Sequence, residues 1–276
     1  MVQQPLTQES EAPDDGNLLT FGGHLEVLRQ MLFRILGVSG MIALLVFCFK
    51  DVTWQVLMAP SEWDFCTYRW IEQAVQAVGM DFRFDEFHVQ MIATDLSSQF
   101  MTHITTAVYL GLLGASPYIL YELFRFISPA LYENERKYSV QVAVIIYVLF
   151  LLGVLMSYFV LFPISFRFLG TYSVSAKVVS NITLDSYIST FVSLTLVMGV
   201  VFQLPVVAFF LGKLGVASSW MLSKYRKHAL IVIMLVAAII TPPDLMTQIL
   251  VTIPLYLLYE VSIRVVKWVE PKEQEA

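Results

Sequence analysis

The chain has 276 residues, of which 57% are apolar and 14% carry a charge, and its formal net charge is −5. Since soluble domains average about 25% charged residues, this balance excludes an ordinary soluble domain and favours a helical membrane protein. No basic patch interleaved with aromatic residues is present, so nucleic acid is not a predicted partner. The two cysteines and four scattered histidines match no disulfide framework or metal-ligand spacing, and we predict no metal and no cofactor.

The N-terminal part of the chain predicts a tail, an amphipathic entry and a first span. Residues 1–20 are polar and acidic, which predicts a disordered tail without a cleavable signal. Apolar residues then recur at helical spacing from Phe21 to Arg34 and lead into a span at about Met31–Phe49. Residues 50–102 predict a long outer loop, rich in aromatic rings, with a short helix from Ile71.

Further apolar runs predict the other spans, at about His103–Phe124, Ser139–Phe162, Ser189–Leu211, Ala229–Ile240 and Ile249–Tyr259. Pro163 is expected to end the third span and Pro205 to kink the fourth. A helix as short as the last two runs covers only ~18 Å of a ~30 Å hydrocarbon core. Either these two spans extend further, with Val261–Trp268 continuing the last, or they form a short pair that thins the bilayer. We take the short pair as the prediction.

The predicted fold is an all-α integral membrane protein with six transmembrane helices. Most of the 17 Lys and Arg residues fall on the side of the N-terminus, which predicts that both termini are cytoplasmic. The predicted organisation is a membrane domain over residues 21–268, between the tail at 1–20 and a second cytoplasmic tail at 269–276.

Three groups of polar residues interrupt the apolar pattern. In the loop after the second span, Glu133 and Glu135 are suited to accept a guanidinium group, or pair locally with the basic residues beside them. Gln203 predicts a hydrogen bond either to backbone freed by Pro205 or across a helix interface. Asp244 follows two prolines at a turn and predicts an N-cap for the last helix.

Five stretches of this sequence resemble, in order, motifs of the TatC family, the receptor subunit of the twin-arginine protein translocase. They are His24-Leu-Glu-Val-Leu-Arg29, Met58-Ala-Pro60, Phe126-Ile-Ser-Pro-Ala-Leu-Tyr-Glu-Asn-Glu-Arg136, Phe202-Gln-Leu-Pro-Val206, and Thr241-Pro-Pro-Asp244 with Gln248. The resemblance implies a multi-pass protein of the bacterial cytoplasmic membrane that binds twin-arginine signal peptides of folded precursors. It also implies single-span TatA/TatB-type partners, a homo-oligomer within a receptor complex, export driven by the proton-motive force, and no enzymatic activity.

The same resemblance implies roles for individual residues. The signal-peptide site is expected to include Glu135, Phe126, Glu26 and Arg29. Phe126 also suits an interfacial anchor, and Arg29 suits a positive-inside anchor or, instead, a group that holds Glu26 or Glu135 in place. Contact with a partner helix is expected at Gln203 and Pro205. Structural or translocation roles are expected for Pro60, Pro129, Asp244 and Gln248.

The first motif departs from the family pattern His-Leu-x-Glu-Leu-Arg. Its carboxylate is Glu26, one position early, and Val27 stands where the family glutamate would be. One residue on a helix is a turn of about 100°, so Glu26 and a glutamate at position 27 would face different directions.

Two other functions were weighed against the residues. A secondary transporter would place ionisable groups near the bilayer midplane, often on broken helices in repeated halves, and here the clear midplane polar residue is Gln203. An intramembrane enzyme would require a catalytic constellation within the spans, which the sequence does not show. The transporter remains the alternative function.

Overall fold

The computed structural model describes residues 21–81, 83–127, 139–173, 175, 181–242 and 244–270, most of them helical. A 3₁₀ turn covers Ala59–Ser61, a π-helical turn covers Ser157–Leu161, and two-residue strands β1 (Met91–Ile92) and β2 (Ile182–Thr183) pair in parallel. The regular structure of the described residues is otherwise helical, which confirms the prediction of a helical membrane protein apart from this short pair of strands. The α-helices of the described residues are α1 (Phe21–Cys48), α2 (Lys50–Met58), α3 (Cys66–Ala77), α4 (Ser98–Gly114), α5 (Ser116–Ile127), α6 (Ser139–Met156), α7 (Phe162–Thr171), α8 (Leu184–Val201), α9 (Leu204–Lys213), α10 (Ser219–Lys224), α11 (Arg226–Ile240) and α12 (Leu245–Val269).

Four stretches of the described chain are long and apolar enough to cross a membrane, or five if a bent helix pair counts as one span. The four are Leu25–Cys48, Gln141–Thr171, Leu184–Lys213 and Leu245–Val269. The bent pair is α4 with α5, which meet at 54°. The second predicted span is therefore broken rather than continuous. Pro117, in the first turn of α5, explains the break, because it has no N–H to donate and its ring clashes with the preceding turn.

The third predicted span does not end at Pro163, as the sequence had suggested. It continues from α6 through the π-helical turn into α7 and ends at Thr171. A proline at this position leaves the carbonyl of Phe159 without its helical donor. The hydroxyl of Thr67, from α3, donates to that carbonyl instead. The helix thus continues through its proline by way of the π-helical turn, and the freed carbonyl has a donor from a distant part of the chain.

The fourth predicted span has the expected interruption. Helix α8 ends at Val201, α9 begins at Leu204, and Pro205 lies in the first turn of α9. Here Gln203 N–H donates to Val200 O at 2.9 Å, which is a tighter turn than an α-helix makes. The carbonyl of Gly199 is thereby released from the backbone ladder.

The last two spans differ in length, which corrects the prediction that both are short. Helix α11 has 15 residues and is about 22 Å long, below the thickness of a ~30 Å core. Helix α12 has 25 residues and is about 37 Å long. It passes through Glu260, whose carboxylate is paired with Arg226 of α11 at 2.8 Å. The alternative extension through Val261–Trp268 is the one observed.

The long predicted loop after α1 is largely folded, and we call residues 50–97 the cap. Its α3 helix confirms the predicted short helix, although α3 begins earlier, at Cys66. The ring of Tyr68 is buried, and its hydroxyl donates to Pro163 O at 2.9 Å. Burial raises the pKa of this hydroxyl, so it remains a neutral donor. Tyr187 of α8 donates to Leu57 O at 2.7 Å. A buried apolar cluster also joins the cap to α7 and α8.

Candidate functional site

The candidate site lies along the contact between α1 and α5, and we call this contact region the groove. Helix α1 packs against both α4 and α5. Since the C-terminal end of α1 leads into the cap and α4 starts directly after the cap, the start of α1 and the end of α5 lie at the opposite end of the bundle. Helix α5 ends at Ile127, immediately before the polar segment that holds Glu133 and Glu135. That segment, with Glu135 and Pro129, lies outside the described residues.

The α1 side of the groove carries an exposed polar stripe. Arg29 Nη2 donates to Glu26 Oε1 at 2.9 Å, and Gln30 Nε2 donates to the same oxygen at 3.1 Å. Arg34 follows four residues after Gln30, so it continues the stripe along nearly the same face. The structure thus brings Glu26 and Arg29 together as a local ion pair, which matches the expectation that Arg29 holds a carboxylate. Val27 is exposed and contributes no charge.

The α5 side of the groove carries a buried carboxylate that the sequence analysis missed. Glu122 is 7% exposed, and Tyr118 donates its hydroxyl to Glu122 Oε1 at 2.8 Å. Arg34 Nη1 of α1 lies 3.7 Å from the same oxygen. Phe126, partly buried, follows Glu122 by four residues and therefore lies on the same face of α5. A charged residue inside an apolar run, with a tyrosine four residues before it, is the signal that could have revealed Glu122.

Gln203 and Pro205 form a second polar position, at the break between α8 and α9. Gln203 Nε2 donates to Ile146 O of α6 at 3.1 Å and to Gly199 O at 3.4 Å. Its Oε1 is buried and has no hydrogen-bond partner among the described residues. The side-chain amide of Gln203 thus donates to backbone within this chain, including the Gly199 carbonyl released by the helix break. The side-chain oxygen of Gln203 accepts no hydrogen bond from a described residue. Pro205 is buried.

Asp244 and Gln248 lie together at the start of α12. Asp244 Oδ1 accepts from Thr247 N–H at 2.6 Å, which confirms the predicted N-cap. Gln248 Nε2 donates to Met234 O at 3.1 Å and so links α12 to α11. Pro60 is buried in the cap, in the 3₁₀ turn. Within the described part of the chain, no group of three or more His, Cys, Asp or Glu residues could hold a metal ion.

The family profile described as Sec-independent protein translocase protein (TatC) matches residues 23–254, which is most of the chain. The chain belongs to the TatC family. A relative from Blattabacterium sp. subsp. Periplaneta americana, a TatC, is 33% identical over 264 residues, covering 94% of this chain and 99% of that protein. The TatC of Escherichia coli K12 is 38% identical over 173 residues, covering 63% of this chain and 67% of that protein.

The fold also matches solved TatC structures. A crystal structure titled as the twin-arginine translocase receptor TatC has a TM-score of 0.70 and 30% sequence identity, and the match covers 89% of this chain and 99% of that chain. A second structure of that receptor, in the detergent DDM, has a TM-score of 0.69. This TatC-family protein is therefore a multi-pass inner-membrane subunit of a Sec-independent protein translocase, and its partners are other parts of that system.

The described residues expected to form the signal-peptide site lie on two helices that are in contact, and a further ion pair links those helices. Glu26 and Arg29 lie on α1, Phe126 lies on α5, and Glu122 with Arg34 bridges the two helices. The positions expected to contact partner helices or to shape the fold are distributed over the α8–α9 break, the start of α12 and the cap. The groove is consequently the place where acidic, aromatic and solvent-exposed groups occur together.

Proposed function

We propose that this chain is the receptor subunit that binds twin-arginine signal peptides in the groove between α1 and α5. The observation that carries the proposal is the exposed Glu26–Arg29 pair on α1, together with Phe126 on α5, the helix that packs against α1 and leads directly into the segment with Glu135. The groove borders the segment that contains Glu135. It also lies at the end of the bundle remote from the cap, which is cytoplasmic if both termini are.

The chemistry of this groove favours arginine over lysine. A carboxylate meets the planar guanidinium group with two parallel hydrogen bonds, whereas an ammonium group is a point charge without that geometry. In the proposal Glu135 accepts one arginine of the pair, and the ring of Phe126 packs against the peptide. Arg29 holds Glu26 in position rather than contacting the peptide, because two cations would repel each other.

We further propose that single-span TatA/TatB-type subunits pack against the polar positions elsewhere on the bundle. Gln203, beside the break at Pro205, has a side-chain oxygen without a hydrogen-bond partner among the described residues, and Gln248 links α12 to α11. Polar side chains of this kind strengthen helix association in membranes by about 0.6–2 kcal/mol. The short α11 helix thins the bilayer locally, and the proton-motive force supplies the energy for export of the folded precursor.

The first experiment is site-specific photocrosslinking from position Asn134 in membranes that contain precursor. Two precursors are compared, one with Arg-Arg and one with Lys-Lys in the signal. A crosslink that requires Arg-Arg supports the proposal. Absence of a crosslink to either precursor, in protein shown to be folded and inserted, contradicts it.

A matched pair of variants tests the assignment of the acceptor. We expect Glu135→Ala to abolish export of a folded reporter that carries a twin-arginine signal. Glu133→Ala, two residues away in the same segment, should leave export nearly unchanged. Equal effects of the two substitutions would remove the special role given to Glu135.

A further inference from the structure

We propose that Glu122 is a second carboxylate for the paired arginines of the signal peptide, and that Arg34 occupies it until the peptide arrives. The inference rests on the proposed signal-peptide function and adds a residue to that site. In it, a guanidinium group of the peptide replaces the guanidinium group of Arg34 at the buried carboxylate. Arg34 then turns toward solvent, to which its side chain is already 52% exposed.

The existing pair between Glu122 and Arg34 is an incomplete one. The separation of 3.7 Å is well beyond the 2.7–2.9 Å of a charge-assisted hydrogen bond. Tyr118 and Arg34 both approach Oε1, so the second oxygen of the carboxylate, Oε2, has no hydrogen bond among the described residues. A carboxylate that is 7% exposed needs a well-formed partner to offset its desolvation. The Glu122 carboxylate can therefore accept a closer guanidinium donor than Arg34.

A completed pair of the same composition exists elsewhere in the molecule. Glu260 of α12 also has a tyrosine four residues before it, and Tyr256 donates to its Oε1 at 3.2 Å. Arg226 meets it with two contacts, from Nε to Oε1 at 2.8 Å and from Nη2 to Oε2 at 3.0 Å. The comparison shows what a structural ion pair of this kind looks like when both oxygens are used. Glu122 lacks the second contact and is more deeply buried than Glu260.

The position of Glu122 suits a peptide ligand. It shares a face of α5 with Phe126, and Arg34 ends the polar stripe that begins at Glu26, so a chain lying along α1 would reach it. It also supplies a negative charge to a groove in which the exposed Val27 replaces the acidic residue of the family pattern. The two successive arginines of the signal peptide then have two carboxylates available, Glu122 before Phe126 in the sequence and Glu135 after it.

The test measures binding of a fluorescent twin-arginine signal peptide to the purified full-length protein in lipid nanodiscs, with a Lys-Lys peptide as reference. Glu122→Gln keeps an acceptor for Tyr118 and removes only the charge. We expect it to weaken Arg-Arg binding about 10-fold, close to what loss of one charged hydrogen bond gives. Glu260→Gln, the matched control, should remain within about twofold of wild type. Arg34→Gln removes the competing guanidinium and should tighten binding.

The double variant Arg34→Gln/Glu122→Gln separates a ligand role from a structural one. If Glu122 merely neutralises Arg34, removing both charges restores binding, and the inference is overturned. If Glu122 receives the peptide, the double variant binds as weakly as Glu122→Gln alone. If Glu122→Gln does not give a monodisperse protein, Arg34→Gln and Glu122→Asp replace it in the test. Tighter peptide binding by Arg34→Gln together with an intermediate affinity of Glu122→Asp supports the inference. Wild-type affinity in both variants overturns it.

Failure of this inference is distinguishable from failure of the proposed function. Wild-type protein that prefers Arg-Arg over Lys-Lys, together with Glu122→Gln that binds equally well, overturns only the role of Glu122. Wild-type protein without any preference for Arg-Arg overturns the signal-peptide site and this inference with it.

Discussion

The substitution Gly111→Ala tests how closely α1 and α4 must approach. A Cβ atom at position 111 would lie 2.6 Å from Ala43 Cβ and 2.8 Å from both Ala43 Cα and N. Because carbon atoms in contact rest about 3.5–4.0 Å apart, the two helices would have to separate by roughly 1 Å. The obstructing atoms include backbone of α1, which has no rotamer to change. Overpacking of this kind destabilises a protein by about 1–3 kcal/mol.

A glycine-to-alanine change also favours the helix itself by up to ~1 kcal/mol, and this gain must be separated from the clash. Gly40 of α1 provides the control, since a Cβ there would meet nothing within 4 Å. Gly40→Ala is therefore expected to keep or raise the stability of the protein. Gly111→Ala is expected to lower it, by a net ~1–2 kcal/mol.

The assay is thermal unfolding of both variants and the wild type in the same detergent, followed by tryptophan fluorescence, with monodispersity checked by size-exclusion chromatography. The midpoint of Gly111→Ala should fall a few degrees below wild type, while that of Gly40→Ala does not fall. A midpoint for Gly111→Ala equal to or above that of Gly40→Ala would refute the argument that α1 and α4 are locked at this crossing.

Three further substitutions test other contacts. Asp244→Ala should lower the free energy of unfolding by about 1 kcal/mol, because Thr247 N–H loses its side-chain acceptor. Asp244→Asn should retain most of that stability in thermal unfolding, and equal losses in the two variants would contradict the N-cap role. Arg167→Met should destabilise the cap by about 1–2 kcal/mol, because the guanidinium Cζ lies 4.3 Å from the centre of the Phe84 ring. Faster limited proteolysis of the cap is the expected readout, and an unchanged rate would argue against it. Tyr187→Phe should cost about 1–2 kcal/mol on unfolding because the carbonyl of Leu57 loses its donor, and unchanged stability would show that this bond contributes little.

Hydropathy located the apolar helices, but only four or five of the described stretches are long and apolar enough to cross a membrane, and the helix ends were predicted poorly. Four features follow from local sequence: the first span, the short α3 helix, the break near Pro205 and the helix N-cap at Asp244. Apolar run length, helical periodicity, proline geometry and side-chain capping all act within a few residues. The second span was predicted as continuous because the local effect of Pro117 was overlooked. That error lay in the interpretation and not in a missing signal.

Other errors had a tertiary cause. Pro163 predicts a helix end when its neighbours alone are considered, but Thr67 of the cap donates to the carbonyl that this proline leaves free. The apolar run of the last span ends at Tyr259, yet α12 continues to Val269, and the carboxylate of Glu260 within it pairs with Arg226 of another helix. In both cases a polar group that would be unfavourable without a partner in an apolar surrounding acquires one from another element.

The sequence by itself determined that this protein is helical, that it lies in a membrane, and that it belongs to the TatC family, because composition, run length and motif order do not depend on how the helices pack. Only the tertiary structure decided which polar groups meet. Arg34 and Glu122 are far apart in the chain, and their pairing depends on the packing of α1 against α5. The bend between α4 and α5 sets the direction of α5, so the groove that we assign to the signal peptide is a product of the packing and not of any one motif.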